Sequence, residues 1–184
     1  MLYIISGASR AGKTLVAQKL ATQNNTPYFS LDWLVMGFTN GMPEYGVHDL
    51  LFPHEIAERS WSFIKAMLES ILYSDIDYII EGEAILPELI IELITKHPNQ
   101  VKVCFLGFTK VDPNEKAKII KSYSTLENDW LLDKSDAYIL DHTHNMIAHS
   151  LKIEKSCQEN DLPYFDTSEN FTETMERIMA YLTE

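Results

Sequence analysis

The sequence is poor in cysteine, glycine and proline. Its 184 residues include only two cysteines, Cys104 and Cys157, and their separation is not that of a metal-binding pair. A disulfide framework and a cysteine-based zinc site therefore have no support. Seven glycines and seven prolines are too few for a collagen-like or low-complexity chain. Because 46% of the residues are hydrophobic, the chain can bury the core of one globular domain.

Positive charge and long apolar runs are also scarce. The chain has 15 lysines and arginines against 27 acidic residues, which gives a formal net charge of −12. Such a surface repels a polyphosphate backbone, so we expect no binding to nucleic acid. No apolar run reaches about 18 residues, and no basic segment precedes the apolar start of the chain. We therefore expect no membrane span, no secretory signal and a cytoplasmic location.

Short apolar segments alternate with helical ones along the chain. The predicted strands are Leu2 to Ser6, Pro27 to Leu31, Ile76 to Glu81, Val101 to Phe108 and Leu162 to Asp166. The predicted helices are Lys13 to Asn24, Pro53 to Tyr73, Pro87 to His97, Pro113 to Tyr123, Ser135 to Asn160 and Thr172 to Leu182. The first and third strands are almost continuously apolar, which is typical of strands buried on both faces of a parallel sheet. The alternation predicts a three-layer α/β fold.

Two connections are too long to be simple turns. They run from Gly37 to Phe52 and from Ser122 to Lys134. Loops of this length in a compact domain are commonly lids or binding flaps. We predict one domain, residues 1–184, with a binding flap at about residues 37–52 and a lid at about residues 113–134. The alternative is a surface segment without function.

The segment GASRAGKT, Gly7 to Thr14, follows the first predicted strand and enters the first predicted helix. It matches the pattern G-x-x-x-x-G-K-[ST], in which Gly7 and Gly12 let backbone N–H groups approach a phosphate. The helix N-terminus adds a positive dipole end, Lys13 can reach the β- and γ-phosphates, and the Thr14 hydroxyl can bind Mg²⁺. The other loop residues expected at the phosphates are Ala8, Ser9, Arg10 and Ala11. The alternative is a glycine-containing turn that binds nothing.

Carboxylates follow the second and third predicted strands. Asp32 comes directly after PYFSL, at the sheet edge where open α/β sheets bind ligands. There it can accept the proton of an attacking hydroxyl, or it can cap the next helix. Glu81 ends the third strand and is placed to hold Mg²⁺, and Glu83 would point to the same side. For both glutamates the alternative is a solvated carboxylate at a strand end.

These motifs together resemble a known group. GASRAGKT after LYIIS, SLDWL at the second strand and IIEG at the third resemble the small P-loop kinases of the nucleoside-monophosphate-kinase type, which include shikimate kinase, gluconate kinase and chloramphenicol phosphotransferase. The resemblance implies the P-loop NTPase fold, with a five-stranded parallel sheet in the order 2-3-1-4-5 and helices on both faces.

The resemblance also implies an activity. It implies ATP as donor, Mg²⁺ as cofactor, and transfer of the γ-phosphoryl group to a hydroxyl of a small-molecule acceptor. In this sequence Asp32 matches the acceptor-binding carboxylate and base of the group. Glu81 matches the acid before Gly82 that organises the metal, and Lys13 matches the catalytic lysine of the loop.

The lid departs from this resemblance. Kinases of the group usually carry arginines there, whereas the three arginines of this chain, Arg10, Arg59 and Arg177, lie outside residues 113–134. Either Arg10 or lysines of the lid would have to neutralise the transferred group. The available lysines are Lys116, Lys118, Lys121 and Lys134. This lid keeps open a second function, a nucleotide-binding regulatory module with little or no catalysis. Arg59 either binds an anionic part of the acceptor or is a solvated cation on its helix.

Aromatic residues of the flap carry a further expectation. Phe38 and Tyr45, with few cations nearby, favour a ring-containing or sugar-like acceptor with little negative charge, or they pack the flap onto the domain. Asp166 to Ser168 would border the base of ATP in the resembling kinases.

Two other signals are set aside. TKVD, Thr109 to Asp112, resembles a guanine-reading segment, but the sequence contains no D-x-x-G partner, which disfavours a GTPase. His142, His144 and His149 lie on one predicted helix, with His142 and His149 on one face because they are seven apart. Zinc binding would usually need an i, i+4 pair and a further ligand, so we interpret the three histidines as polar positions on an exposed helix.

Overall fold

A computed structural model describes residues 1–123 and 129–184 of the chain. The strands are β1 (Leu2–Gly7), β2 (Tyr28–Ser30), β3 (Tyr78–Glu81), β4 (Val101–Gly107) and β5 (Tyr164–Asp166). The helices are α1 (Lys13–Asn24), α2 (Leu31–Gly41), α3 (Pro53–Tyr73), α4 (Pro87–Lys96), α5 (Pro113–Tyr123), α6 (Asp136–Glu159) and α7 (Phe171–Thr183). A short 3₁₀ helix, Pro43–Tyr45, follows α2.

The five strands form one parallel sheet in the order β2-β3-β1-β4-β5, which confirms the predicted topology. Its register fixes which strand ends meet. Glu81 at the end of β3 lies beside Ser30 on β2 and Ile5 on β1. The carboxyl ends of three adjacent strands therefore lead into one edge of the sheet, where the candidate site forms.

Apolar side chains cover both faces of the sheet. Ile5 and Leu106 belong to the cluster that packs against α1 and α7, whereas Ile4 and Phe105 belong to the cluster beneath α3 and α4. This alternation along β1 and β4 confirms the predicted three-layer arrangement. The two cysteines are free and buried, in different clusters.

The predicted connection from Gly37 to Phe52 is wrong over its first part. α2 continues to Gly41, because Ser30 caps it and its apolar positions, Leu31, Val35 and Phe38, face the core. Gly37 lies on the exposed face with nothing within 4 Å of a built Cβ. An exposed helical glycine costs only about 1 kcal/mol, so this glycine does not end the helix.

The second predicted connection, Ser122 to Lys134, includes residues 124–128, which lie outside the described residues. Beyond them the chain turns at Asp129, where Leu132 N donates to its backbone carbonyl, and α6 then begins. Among the described residues, no helix combines the length and apolarity needed to cross a membrane.

Candidate active site

The loop between β1 and α1 is held tightly against β4. Gly7 has φ 125°, and a Cβ there would lie 1.9 Å from the Leu106 carbonyl oxygen. The same oxygen accepts a hydrogen bond from Ala8 N at 2.8 Å. Gly12, with φ 99°, turns the chain into α1. Only glycine fits these two positions without strain, so the sequence dictates an open backbone curve at the N-terminus of α1.

Lys13 and Thr14, the first residues of α1, face the acidic end of β3. The Lys13 side chain is buried, and its Nζ donates to Ala8 O at 2.8 Å and lies 3.6 Å from Glu83 Oε1. Thr14 Oγ1 donates to Glu81 Oε2 at 3.3 Å. The structure therefore brings the predicted loop residues and the predicted glutamates together.

Glu81 is the most deeply buried of these carboxylates, with 2% of the residue exposed. Burial raises its pKa, against the lowering effects of Ser30, Lys13 and Thr14. Within the described part of the chain, its Oε1 has no hydrogen-bond partner. An orphaned buried oxygen next to a threonine hydroxyl fits the donor set of a hard cation such as Mg²⁺.

A metal ion alone has too few ligands here. Among the described residues, no group of three or more His, Cys, Asp or Glu side chains could hold one. Magnesium bound with nucleotide phosphates needs only one or two protein ligands. Thr14 and Glu81 fit that arrangement.

Asp32 lies in the first turn of α2, so the helix-cap alternative for it is wrong. Ser30 is the N-cap, and its Oγ accepts from Asp32 N at 3.4 Å. Asp32 is exposed to solvent at the carboxyl edge of the sheet. Burial raises its pKa, the Lys13 charge lowers it, and the Glu83 charge raises it. Asp32 therefore shares one electrostatic environment with Lys13 and Glu83.

Gly82 explains why Asp32 and Glu81 come close. It has φ 149°, and a Cβ there would lie 2.7 Å from the Leu31 Cβ at the start of α2. Gly82 N also donates to Ile5 O at 3.1 Å, which keeps the end of β3 beside β1. The predicted IIEG segment thus ends a strand at a point where only glycine lets α2 approach.

The cations proposed to neutralise the transferred group each contact a residue outside the phosphate loop. Arg10, at φ 59°, binds Asp129 with both guanidinium nitrogens, at 2.8 and 2.5 Å. Lys118 pairs with Glu115, and Lys121 pairs with Asp136. Lys116 lies over the ring of Phe108, and Lys134 lies over the ring of Tyr138.

Arg59 and the flap aromatics hold the flap in place. Arg59 is an exposed residue of α3 that donates to Gly46 O at 3.0 Å and pairs with Glu55. Phe38 stacks on Tyr45 with ring centroids 4.4 Å apart, and Phe63 of α3 packs edge-on against Phe38. These contacts match the packing alternative for Phe38 and Tyr45.

Sequence reasoning missed the two histidines of α6. His142 and His149 are half-buried, not exposed polar positions, and the Nε2 of each is buried without a hydrogen-bond partner among the described residues. Burial lowers both pKa values, and the pKa of His149 falls to about 4. The seven-residue spacing was the signal that could have found them, since it places both on one helix face.

The TKVD segment joins the end of β4 to the end of β5. Thr109 Oγ1 donates to Asp166 Oδ2 at 2.5 Å, and Lys110 N donates to Ser168 Oγ at 2.8 Å. A polar cavity of about 210 Å³ adjoins these residues and the start of α7. Asp166 therefore ties the loop after β4 to the loop after β5, since it accepts from Thr109 and from Ser168 N.

The described fold is similar to that of several solved kinases. A shikimate kinase from Bacteroides thetaiotaomicron matches with a TM-score of 0.59 at 18% identity, over 100% of this chain and 99% of its own. A gluconokinase from Sinorhizobium meliloti 1021 matches with a TM-score of 0.61 at 15% identity, over 98% of this chain and 90% of its own. A deoxyadenosine kinase from M. mycoides matches with a TM-score of 0.50 at 16% identity, over 100% of this chain and 99% of its own.

These similarities confirm the predicted resemblance in fold. No family model matches the sequence, and no curated protein matches it. Identities of 15–18% carry the fold and not the substrate, so the function must be argued from the site.

Proposed function

We propose that this chain is a kinase that moves the γ-phosphoryl group of Mg·ATP to a hydroxyl of a small-molecule acceptor. The observation that carries the proposal is the meeting of Lys13, Asp32 and Glu81 at one sheet edge, beside a loop that only glycine can form. Phosphoryl transfer depends mostly on positioning and charge, and these residues supply both. In this proposal the flap at about residues 37–52 and the lid at about 113–134 border the site within one domain.

Each residue has a separate role. The backbone from Gly7 to Thr14 and the Lys13 ammonium hold the phosphates of ATP. Asp32 accepts the proton of the acceptor hydroxyl, and the hydroxyl oxygen forms a bond to the γ-phosphorus. The bond from that phosphorus to the oxygen bridging it to the β-phosphate breaks, and ADP leaves. Thr14 and Glu81 would hold Mg²⁺. The ion would neutralise charge on the phosphates.

The test separates binding from chemistry. We expect Lys13→Ala to abolish Mg·ATP binding, measured by calorimetry. Asp32→Asn should retain that binding and lower phosphoryl transfer by about 10²- to 10⁴-fold. Asp75→Asn, at an exposed aspartate in the turn between α3 and β3, is the matched control and should change neither. Unchanged transfer in Asp32→Asn would remove the proposed base and contradict the proposal.

The pairing of Arg10 with Asp129 favours the second candidate, a nucleotide-binding regulatory module. The only arginine of the phosphate loop is neutralised by a carboxylate, and the four lid lysines contact other groups. Such a protein would bind Mg·ATP with the same dependence on Lys13. It would transfer no phosphoryl group, and Asp32→Asn would have no measurable effect on its binding of Mg·ATP.

A further inference from the structure

Two carboxylates, Asp32 and Glu83, lie near Lys13 at the carboxyl edge of the sheet. Glu83 lies two residues beyond Glu81, 3.6 Å from Lys13 Nζ, with 24% of its side chain exposed. Its charge acts on Asp32 of α2 and on His142 of α6. Glu83 therefore lies beside the phosphate loop, and its charge acts on groups of both helices.

The arginines of the chain are committed elsewhere. Arg10 is paired with Asp129, and Arg59 is paired with Glu55 and the Gly46 carbonyl. Arg177 of α7 lines the cavity next to Lys110 and Ser168. Lys13 remains, and the phosphates of the donor claim it. A carboxylate or phosphate on the acceptor would thus meet Asp32 and Glu83 with neither Arg10 nor Arg59 free to pair with it, and like charges at close range are costly.

α6 supplies hydrogen-bonding capacity without charge. The Nε2 atoms of His142 and His149 are buried and lack partners among the described residues. Trp130 follows Asp129, which binds Arg10 of the phosphate loop, and Ser150, next to His149, accepts from Phe108 N just beyond β4. α6 therefore holds both histidines at the carboxyl edge of the sheet. Trp130 packs edge-on against His142, with ring centroids 5.0 Å apart. A neutral imidazole offers one donor and one acceptor, which suits a hydroxyl group.

Resting on the proposed kinase function, we infer that the acceptor is a hydroxyl-rich compound without negative charge, such as a sugar or polyol, positioned by Glu83, His142 and His149. Glu83 accepts hydrogen bonds from acceptor hydroxyls and repels anionic analogues. The two imidazoles bind hydroxyls that satisfy their unpartnered nitrogens. Glu83, His142 and His149 are specificity-determining residues, and Asp32 remains the base.

The experiment compares acceptors that differ in one charged group. Phosphoryl transfer from saturating Mg·ATP is measured with glucose, glucosamine and glucuronate, with ribose and ribose 5-phosphate, and with glycerol and glycerol 3-phosphate. We expect kcat/KM for the best neutral or cationic acceptor to exceed that of its anionic counterpart by at least about 100-fold. Glu83→Gln should reduce this ratio by about 10-fold, and Glu92→Gln on the exposed side of α4, where Glu92 pairs with Lys65, should leave it unchanged.

The histidines are tested by the division between KM and kcat. His142→Gln and His149→Gln should each raise the acceptor KM about 3- to 10-fold, with kcat and the KM for ATP within twofold of wild type. His144→Gln, an exposed histidine of the same helix, is the control. A role in packing alone would lower the melting temperature without changing the acceptor KM.

The outcomes separate the two proposals. Preference for the anionic member of the pairs, or an acceptor KM unchanged in both histidine variants, overturns the inference and leaves the kinase function standing. Absence of transfer to every compound by wild-type protein that binds Mg·ATP overturns the kinase function, and the inference with it.

Discussion

At the scale of a single residue, burial of the Glu81 carboxylate lowers the stability of the fold but serves the proposed function. Only 2% of the residue is exposed, and one carboxylate oxygen has no hydrogen-bond partner among the described residues. Burial raises its pKa, which means that the fold favours the protonated form. Active sites often retain such groups at the expense of stability.

We therefore predict that Glu81→Gln stabilises the protein at neutral pH. A raised folded-state pKa contributes stability that is present below the unfolded pKa and is lost as the pH rises through the folded one. The free energy of unfolding of Glu81→Gln should exceed that of wild type by about 1 kcal/mol at pH 7, with a smaller difference at pH 4. Urea unfolding at both pH values measures this.

The same variant should lose the magnesium dependence of ATP binding, because Glu81 is one of the two proposed protein ligands. Exposed Glu58→Gln on α3 is the control for both measurements. If Glu81→Gln were less stable than wild type at pH 7, the carboxylate would be well satisfied and the proposed metal role would lose its support.

His149 has the opposite dependence on pH. Its pKa is lowered to about 4, chiefly by burial, with Lys13, His54 and Lys152 also lowering it and Glu88 raising it. A histidine with a lowered folded-state pKa contributes stability above its unfolded pKa of about 6.5 that is lost as the pH falls toward 4.

We predict that wild type loses more stability than His149→Gln between pH 6.5 and pH 4. The difference between their unfolding free energies should change by at most about 1.4 kcal/mol per pH unit in that range. His144→Gln should follow wild type. Parallel curves for wild type and His149→Gln would show that the His149 ring is solvated.

At the scale of elements, the close approach of β3 and α2 depends on Gly82. A Cβ at Gly82 would lie 2.7 Å from the Leu31 Cβ, at a φ of 149° that side chains rarely adopt. Gly37, in contrast, lies on the open side of α2. A Cβ would thus meet another element at Gly82 and open space at Gly37.

We predict opposite results for alanine at these positions. Gly82→Ala should lower the free energy of unfolding by about 1 to 3 kcal/mol and, by displacing α2 and Asp32, lower phosphoryl transfer. Gly37→Ala should raise the free energy of unfolding by about 1 kcal/mol and leave transfer unchanged. Denaturant unfolding and transfer assays measure both. Equal stabilities would mean that β3 and α2 do not approach each other as described.

At the scale of the whole molecule, a nucleotide that binds only the folded chain must stabilise it. At about 100 times its dissociation constant, a ligand contributes about 2.7 kcal/mol. For a chain of this size we expect Mg·ATP to raise the melting temperature by about 5–10 °C.

The control for this shift is Lys13→Ala, in which we expect less than about 1 °C because the phosphates lose their cation. Thermal scans with Mg·ATP, ATP with chelator, and Mg²⁺ alone measure the effect. A shift of the same size in Lys13→Ala would place the nucleotide elsewhere and remove the phosphate loop from the proposal.

Local patterns sufficed for the sheet and for the residues that enter the site from strand ends. The buried run before GASRAGKT predicted β1, and the apolar segments before Asp32 and Glu81 predicted β2 and β3, because strand burial and glycine geometry are encoded by neighbouring residues. The first half of the flap was missed. The sequence predicts a loop at Gly37 and Gly41. In the structure both are helical, because the capping by Ser30 and the packing of Val35 and Phe38 outweigh the free energy that glycine costs a helix.

The sequence by itself determined the phosphate loop, the strand order implied by the resemblance, and the carboxylates at the sheet edge. Only the tertiary structure decided the surroundings of those groups: Arg10 paired with Asp129, Glu83 beside Lys13, and the Nε2 atoms of the two α6 histidines buried without partners among the described residues. The physical reason is distance along the chain. Backbone conformation depends on adjacent residues, whereas the charge and burial of a side chain depend on groups that folding brings from far away.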